Sequence, residues 1–108
     1  MKTSAEILSE KLTAALAARI SLTYKRAKEE YTKLLEHAED CITKYCANHI
    51  EYRYSVFGLD EGLMKSELER MLIEDGFILS NIHSAFPMMS SHREVSFDIP
   101  HVQQPPAR

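Results

Sequence analysis

The stretch YKRAKEEYTKLLEHAEDCITKY, residues 24–45, decides the fold. Its apolar residues recur in alternating steps of three and four: Tyr24, Ala27, Tyr31, Leu34, Ala38, Cys41 and Tyr45. This is the heptad spacing of a helix that packs an apolar seam against a partner helix. Between the seam positions, pairs such as Glu29 and Lys33 stabilise a helix at the i, i+4 spacing. We therefore predict a helix here, with these seven residues as a self-association surface.

The same helix is expected to begin far upstream of the seam. A row of apolar residues recurs every fourth position: Leu8, Leu12, Leu16 and Ile20. Thr3 and Glu6 have the spacing of a capping box, and no glycine or proline precedes Gly58. The sequence therefore predicts one long helix over residues 4–47. Steps of four drift relative to heptad steps, so a bend or break is allowed near residues 21–23.

A helix of that length needs a cover that the rest of the chain is too short to provide. It would be about 66 Å long at 1.5 Å per residue, whereas a compact domain of this size has a radius of gyration near ~13 Å. Either the helix folds back on itself or another subunit covers it, and we expect a homo-oligomer, with a dimer favoured.

Downstream of the helix, the pattern predicts strand, helix, strand, strand. Apolar and polar residues alternate over 50–57, and two further strands are expected near 77–84 and 94–99. Asp60 is a good N-cap for a second helix that ends near Asp75, and Gly76 suits its C′ position. The predicted fold class is α+β, with a small three-stranded antiparallel sheet and one packed helix. We expect one domain over residues 1–100 and an extended tail over 101–108.

The charge distribution argues against a general affinity for nucleic acid. The 108 residues carry a formal net charge of −3. Residues 1–35 hold seven basic and four acidic side chains, or +3, whereas residues 36–108 hold six and twelve, or −6. Nucleic acid is thus an unfavoured partner. The basic segment 19–33, with Tyr24 and Tyr31 nearby, keeps a nucleic-acid-associated protein as the alternative function.

No catalytic or metal-binding constellation stands out from the sequence. One candidate zinc set, in which thiolates and imidazoles are suitable ligands, comprises His37, Cys41, Cys46 and His49. On one helix the first pair and the second pair point in different directions, so ordinary packing is favoured over metal binding. The same geometry disfavours a disulfide between the two cysteines. We expect no cofactor and a protein that is not an enzyme.

Two further features bear on location and partners. No stretch approaches the ~20 apolar residues that span a bilayer, and residues 1–10 lack the apolar core of a signal peptide. With reduced cysteines, a cytoplasmic location is expected. The apolar residues Phe86, Met88 and Met89 form a predicted contact for a protein partner.

Residues 59–99 resemble a module found in small accessory proteins of tailed phages. The resemblance rests on the helix pattern SELERML at 66–72, DGF at 75–77 and the strand VSFDIP at 95–100. It implies a non-enzymatic protein in the bacterial host cytoplasm that oligomerises and binds a host or defence protein. The expected function is therefore a self-associating protein-binding module, acting in that setting as a host-defence inhibitor.

Overall fold

The long helix is continuous and ends two residues earlier than its predicted limit. The structure is a computed structural model that describes residues 1–80 and 91–100. Helix α1 spans Ser4–Tyr45, 42 residues. The Thr3 hydroxyl accepts a hydrogen bond from the Glu6 N–H at 3.2 Å, as a capping box requires. Cys46 ends the helix in the left-handed conformation, at φ 52°.

Where a bend or break was allowed, α1 runs through residues 21–23 without interruption. Thr23 is fully buried there. Its hydroxyl donates to the Arg19 carbonyl at 2.7 Å and accepts from the Asp60 N–H at 2.9 Å. The hydroxyl that competes for backbone bonds in a lone helix is therefore used to attach the rest of the chain.

The three strands form the predicted antiparallel sheet, which confirms the α+β fold class. Strand β1 is His49–Ser55, β2 is Ile78–Leu79 and β3 is His92–Asp98, in the order β1-β3-β2. β3 begins two residues before its predicted start, so Arg93 lies in a strand. The predicted strand over 77–84 is seen only as Ile78–Leu79, and residues 81–84 lie outside the described part of the chain.

Among the described strands, β1 lies at one edge of the sheet. The Val56 N–H donates to the Ser91 carbonyl at 2.8 Å, and the Ile99 N–H donates to the Asn48 carbonyl at 2.8 Å. Since backbone groups alternate in direction along an antiparallel strand, those of residues 50, 52 and 54 face β3. The backbone groups of residues 49, 51, 53 and 55 face away from it.

Helix α2, Glu61–Glu74, lies between the first two strands in the chain. The Asp60 carboxylate accepts from the Leu63 N–H at 3.0 Å, and Gly76 follows the helix at φ +91°. Both ends were predicted from the sequence. Buried Met64, Leu68 and Leu72 form its inward face.

The core lies between the second half of α1, α2 and one face of the sheet. It joins residues of all three layers: Ala27, Tyr31, Leu34, Ala38, Ile50, Tyr54, Met64, Leu68, Leu72, Val95 and Phe97. Phe77 and Phe97 meet edge to face with ring centroids 5.1 Å apart. We call the part of the chain that packs against α1 the module; it comprises residues 46–80 and 91–100.

The first half of α1 extends beyond the module. Every residue from 4 to 22 is exposed, and we call this segment the arm. It lengthens the molecule to 82 × 27 × 21 Å with a radius of gyration of 18.7 Å, against about 13 Å for a compact chain of this length. In the described residues, no helix has the length and apolar character that crossing a membrane requires.

Candidate functional site

The arm carries a row of large apolar side chains in solvent. Leu8, Leu12, Leu16 and Ile20 are 64%, 60%, 50% and 43% exposed. Single exposed leucines are common on protein surfaces, but four in one helical row form a contiguous apolar strip of the kind that marks an interaction site. We call these four residues the arm stripe.

Leu16 and Ile20, the half of the arm stripe next to the module, point to the same side of α1 as the module. Eighteen residues separate Leu16 from Leu34, and the same number separates Ile20 from Ala38. At about 3.6 residues per turn this is five whole turns, so each pair points in the same direction. Leu34 and Ala38 are 0% and 4% exposed beneath the module. The module thus covers one end of a single apolar face and leaves the other end open, which produces a ledge beside the arm.

The end of the module that faces the arm is the loop over residues 56–60. The hydrogen bond from Asp60 to Thr23 attaches this loop to the point where the arm begins. Phe57, within the loop, is 85% exposed. Next to the loop, Arg93 Nε donates to Glu61 Oε1 at 2.6 Å, and this pairing holds the pKa of Glu61 below its usual range. An exposed aromatic ring therefore stands at the closed end of the ledge.

The predicted self-association seam lies largely inside the subunit. Four of its seven residues are buried against the chain's own α2 and sheet: Ala27, Tyr31, Leu34 and Ala38. Cys41 is partly buried, whereas Tyr24 and Tyr45 are 45% and 75% exposed. The Tyr31 hydroxyl donates to the Asp75 carboxylate. Burial of the ring, and to a smaller extent this carboxylate, raises the pKa of Tyr31. The seam is therefore covered by the module, and a charge at Leu34 would disrupt the core.

The sequence prediction did not assign self-association to the arm stripe, because the heptad spacing over residues 24–45 is a stronger signal than the row of steps of four upstream. Both stretches are amphipathic, and the sequence prediction assigned the missing cover to residues 24–45. The module is in fact large enough to cover that half of α1. The usable signal was the length of the helix combined with the row at Leu8, Leu12, Leu16 and Ile20.

The four candidate zinc ligands do not converge. Cys41 Sγ lies 3.5 Å from His37 Nε2, but Cys46 is exposed beyond the helix end. His49 Nδ1 instead pairs with Asp98 Oδ1 at 2.7 Å, which raises the pKa of His49. Both cysteines are free. Among residues 1–80 and 91–100, no group of three or more potential ligands could hold a metal ion.

An open depression of about 320 Å³ lies between α1 and the sheet. Its lining comprises His37, Glu51, Tyr52, Arg53 and Glu94. The polar groups in it bond one another: Tyr52 donates to Glu30 at 2.6 Å, and Arg53 lies 3.4 Å from Glu94. The described residues of the lining include no serine, threonine or cysteine. These contacts join α1 to β1 and β3.

The basic segment 19–33 has a mixed surface. Arg26 lies 3.4 Å from Glu29, and Lys33 lies 3.8 Å from Glu30. Tyr31 is buried, so it cannot stack on a base, whereas Tyr24 is half exposed. The predicted partner-binding residues Phe86, Met88 and Met89 lie outside the described residues.

Comparisons of the chain with protein-family models, with curated proteins and with solved structures find no match.

Proposed function

We propose that the protein is a non-enzymatic binding module that associates with itself through the arm. The observation that carries the proposal is the row of four exposed aliphatic side chains on a helix that continues beyond its own core. The second half of α1 has a packing partner within the subunit, which the arm lacks. In that half, the same face of the helix is buried by α2 and the sheet.

The energetics favour a covered arm. Full burial of a leucine or isoleucine contributes about 1.5–3 kcal/mol, and each copy offers four such side chains. Isolated helices shorter than about 12–15 residues are marginal in water, and most helices in proteins gain their stability from packing an apolar face. A second apolar surface on the arm stripe would therefore stabilise both the arm and the complex.

The proposal is tested by the mass of the protein in solution. Leu12→Glu with Leu16→Glu places two charges on the arm stripe, and we expect the mass to fall from dimer to monomer by light scattering. The matched control is Ala14→Glu with Ala18→Glu. These positions point away from the stripe at about 100° per residue, and this variant should remain a dimer.

Circular dichroism of both double variants checks that they keep their helices. A wild-type protein that is monomeric up to high micromolar concentration, with its full helix content, would disprove self-association.

The proposed setting is the cytoplasm of a phage-infected bacterium, with a host or defence protein as the external partner. This part rests on the resemblance of residues 59–99 to phage accessory proteins. Phe86, Met88 and Met89 remain the predicted contacts for that partner. Affinity capture from bacterial cytoplasm tests it, with Phe86→Ser expected to lose the captured protein.

Nucleic-acid binding is the second candidate, favoured by the exposure of Arg19, Lys25 and Lys28 along α1. Binding through phosphate contacts would weaken steeply with salt. A gel-shift assay without any retarded species at low salt would remove this candidate.

A further inference from the structure

We infer that the arm pairs with the arm of a second copy in antiparallel orientation, centred on Ala14, so that each module closes the end of the other copy's ledge. This inference rests on the proposed self-association and adds the partner, the direction and the register. In this arrangement Leu8 lies opposite Ile20 of the partner copy, and Leu12 lies opposite Leu16.

The length of the arm matches this arrangement. When residue 14 meets residue 14, residue 5 of one copy lies opposite Thr23 of the other. Thr23 is the first buried residue of α1, and α1 begins at Ser4. The uncovered part of each helix is thus covered along its whole length by the other arm, and the partner helix begins where the module ends.

The position of the module excludes the parallel alternative on this face. Leu16 and Leu34 point in the same direction, so the module stands on the side of α1 to which Leu16 and Ile20 point. Two parallel arms joined through their stripes would bring both modules to the same level between the helices. The two modules would then compete for the same space. An antiparallel pair places them at opposite ends.

The contact is near the smallest size that a stable dimer uses. Stable interfaces use about 20–30 residues to bury ~800 Å² on each side. Residues 4–22 of the arm and residues 56–60 of the loop together are close to that number, and those on one face make the contact, so the interface lies at the lower end of the stable range.

The loop at the closed end of the ledge supplies a second apolar contact. Phe57 is 85% exposed, and its loop is bonded to Thr23 through Asp60. In the antiparallel pair, the first turn of the partner helix arrives at this point. The arm and the loop therefore leave apolar groups exposed at the two positions that the pairing brings together.

Disulfide formation between single-cysteine variants tests the direction and the register. In a background of Cys41→Ala and Cys46→Ser, one full-length variant carries Leu8→Cys and a second, made larger by a tag, carries Ile20→Cys. Antiparallel pairing places residue 8 opposite residue 20. Residue 8 then lies about 18 Å along the helix from its own counterpart, beyond the ~7 Å limit for a disulfide. We expect a cross-linked species of mixed mass after mild oxidation of the mixture, and none from either variant alone.

The outcomes separate this inference from the proposed function. Cross-links in either variant alone would show a parallel pair and overturn the inference, while self-association would stand. A dimeric mass without a cross-link in any sample would also overturn it, because the register would be different. A monomeric mass for the untagged background protein, with helix content intact, would overturn both.

Discussion

The two halves of α1 present the same kind of apolar face in opposite circumstances. In the second half, Ala27 and Leu34 are fully buried under α2 and the sheet. In the arm, Leu12 and Leu16 are exposed by 60% and 50%. The two faces are aligned, since Leu16 and Leu34 are five turns apart. The difference between the halves therefore arises from the size of the module.

This contrast shows what an amphipathic pattern does and does not specify. A repeating apolar face indicates that a helix packs against another surface, but it does not identify that surface. Here the heptad stretch, which is typical of association between chains, is satisfied within one chain. The arm stripe, in which apolar residues recur every fourth position, is the part of the helix that remains exposed.

The largest expected difference between the halves comes from truncating one leucine in each. Leu34→Ala should lower the free energy of unfolding by about 2–5 kcal/mol, because it opens a cavity in a packed core. Leu16→Ala should change the stability of the monomer by less than about 0.5 kcal/mol and should weaken association instead. Urea denaturation followed by circular dichroism, at several protein concentrations, separates the two effects. Equal losses at the lowest concentration would show that the arm is packed within the monomer.

A smaller difference is expected from two tyrosines seven residues apart. The Tyr31 hydroxyl bonds the Asp75 carboxylate and lies 3.3 Å from the Met71 carbonyl. Tyr31→Phe should therefore cost about 1–2 kcal/mol of stability. Tyr24 is 45% exposed, and Tyr24→Phe should have no measurable effect in the same urea titration. A comparable loss at both positions would place Tyr24 within the covered half.

The smallest expected effect is a pH dependence that belongs to the module alone. Asp98 raises the folded-state pKa of His49 above its ordinary value of 6.5. The resulting stability is fully present below pH ~6.5, the unfolded-state pKa, and is lost as pH rises through the folded-state pKa. Because the pair is partly exposed, the gain on going from pH 8 to pH 6 should be less than about 1 kcal/mol.

Asp98→Asn provides the control for this effect. The difference in unfolding free energy between wild type and this variant should widen as pH falls from 8 to 6. Dimer mass should not differ between them, because neither His49 nor Asp98 lies in the arm. A difference in stability that is constant with pH would show that the charge on His49 has no part in it.

Much of the fold follows from local signals in the sequence. Thr3, Asp60 and Gly76 have side-chain or backbone properties that suit the ends of helices, and the structure uses each of them there. The alternation of Ile50, Tyr52 and Tyr54 placed β1 within two residues of its limits. Caps and strand alternation are set by near neighbours in the chain, so they are readable without a structure.

The candidate site was harder to predict because it depends on contacts far apart in sequence. Thr23 weakens a helix in isolation, yet its hydroxyl bonds the Asp60 N–H, 37 residues away. The heptad spacing assigns Tyr31 to an interface between chains, whereas its hydroxyl donates a hydrogen bond to Asp75, 44 residues away in the same chain. The seam and the row of steps of four can be recognised locally, but which of them the module covers depends on how the chain folds back.

The outer side of β1, at the edge of the described sheet, has a consequence for how the chain behaves at high concentration. The carbonyl of Glu51, on that edge, lies 3.0 Å from His37 Nε2, and charged residues Glu51 and Arg53 alternate along the strand. Unpaired edges recruit further strands and lead to fibres, and occupied or charged edges resist this. Because the proposed pairing of the arms brings copies of the chain together, a sheet edge that resists strand pairing keeps those copies from forming fibres. The side chain of His37 blocks one position where a foreign strand would begin to pair.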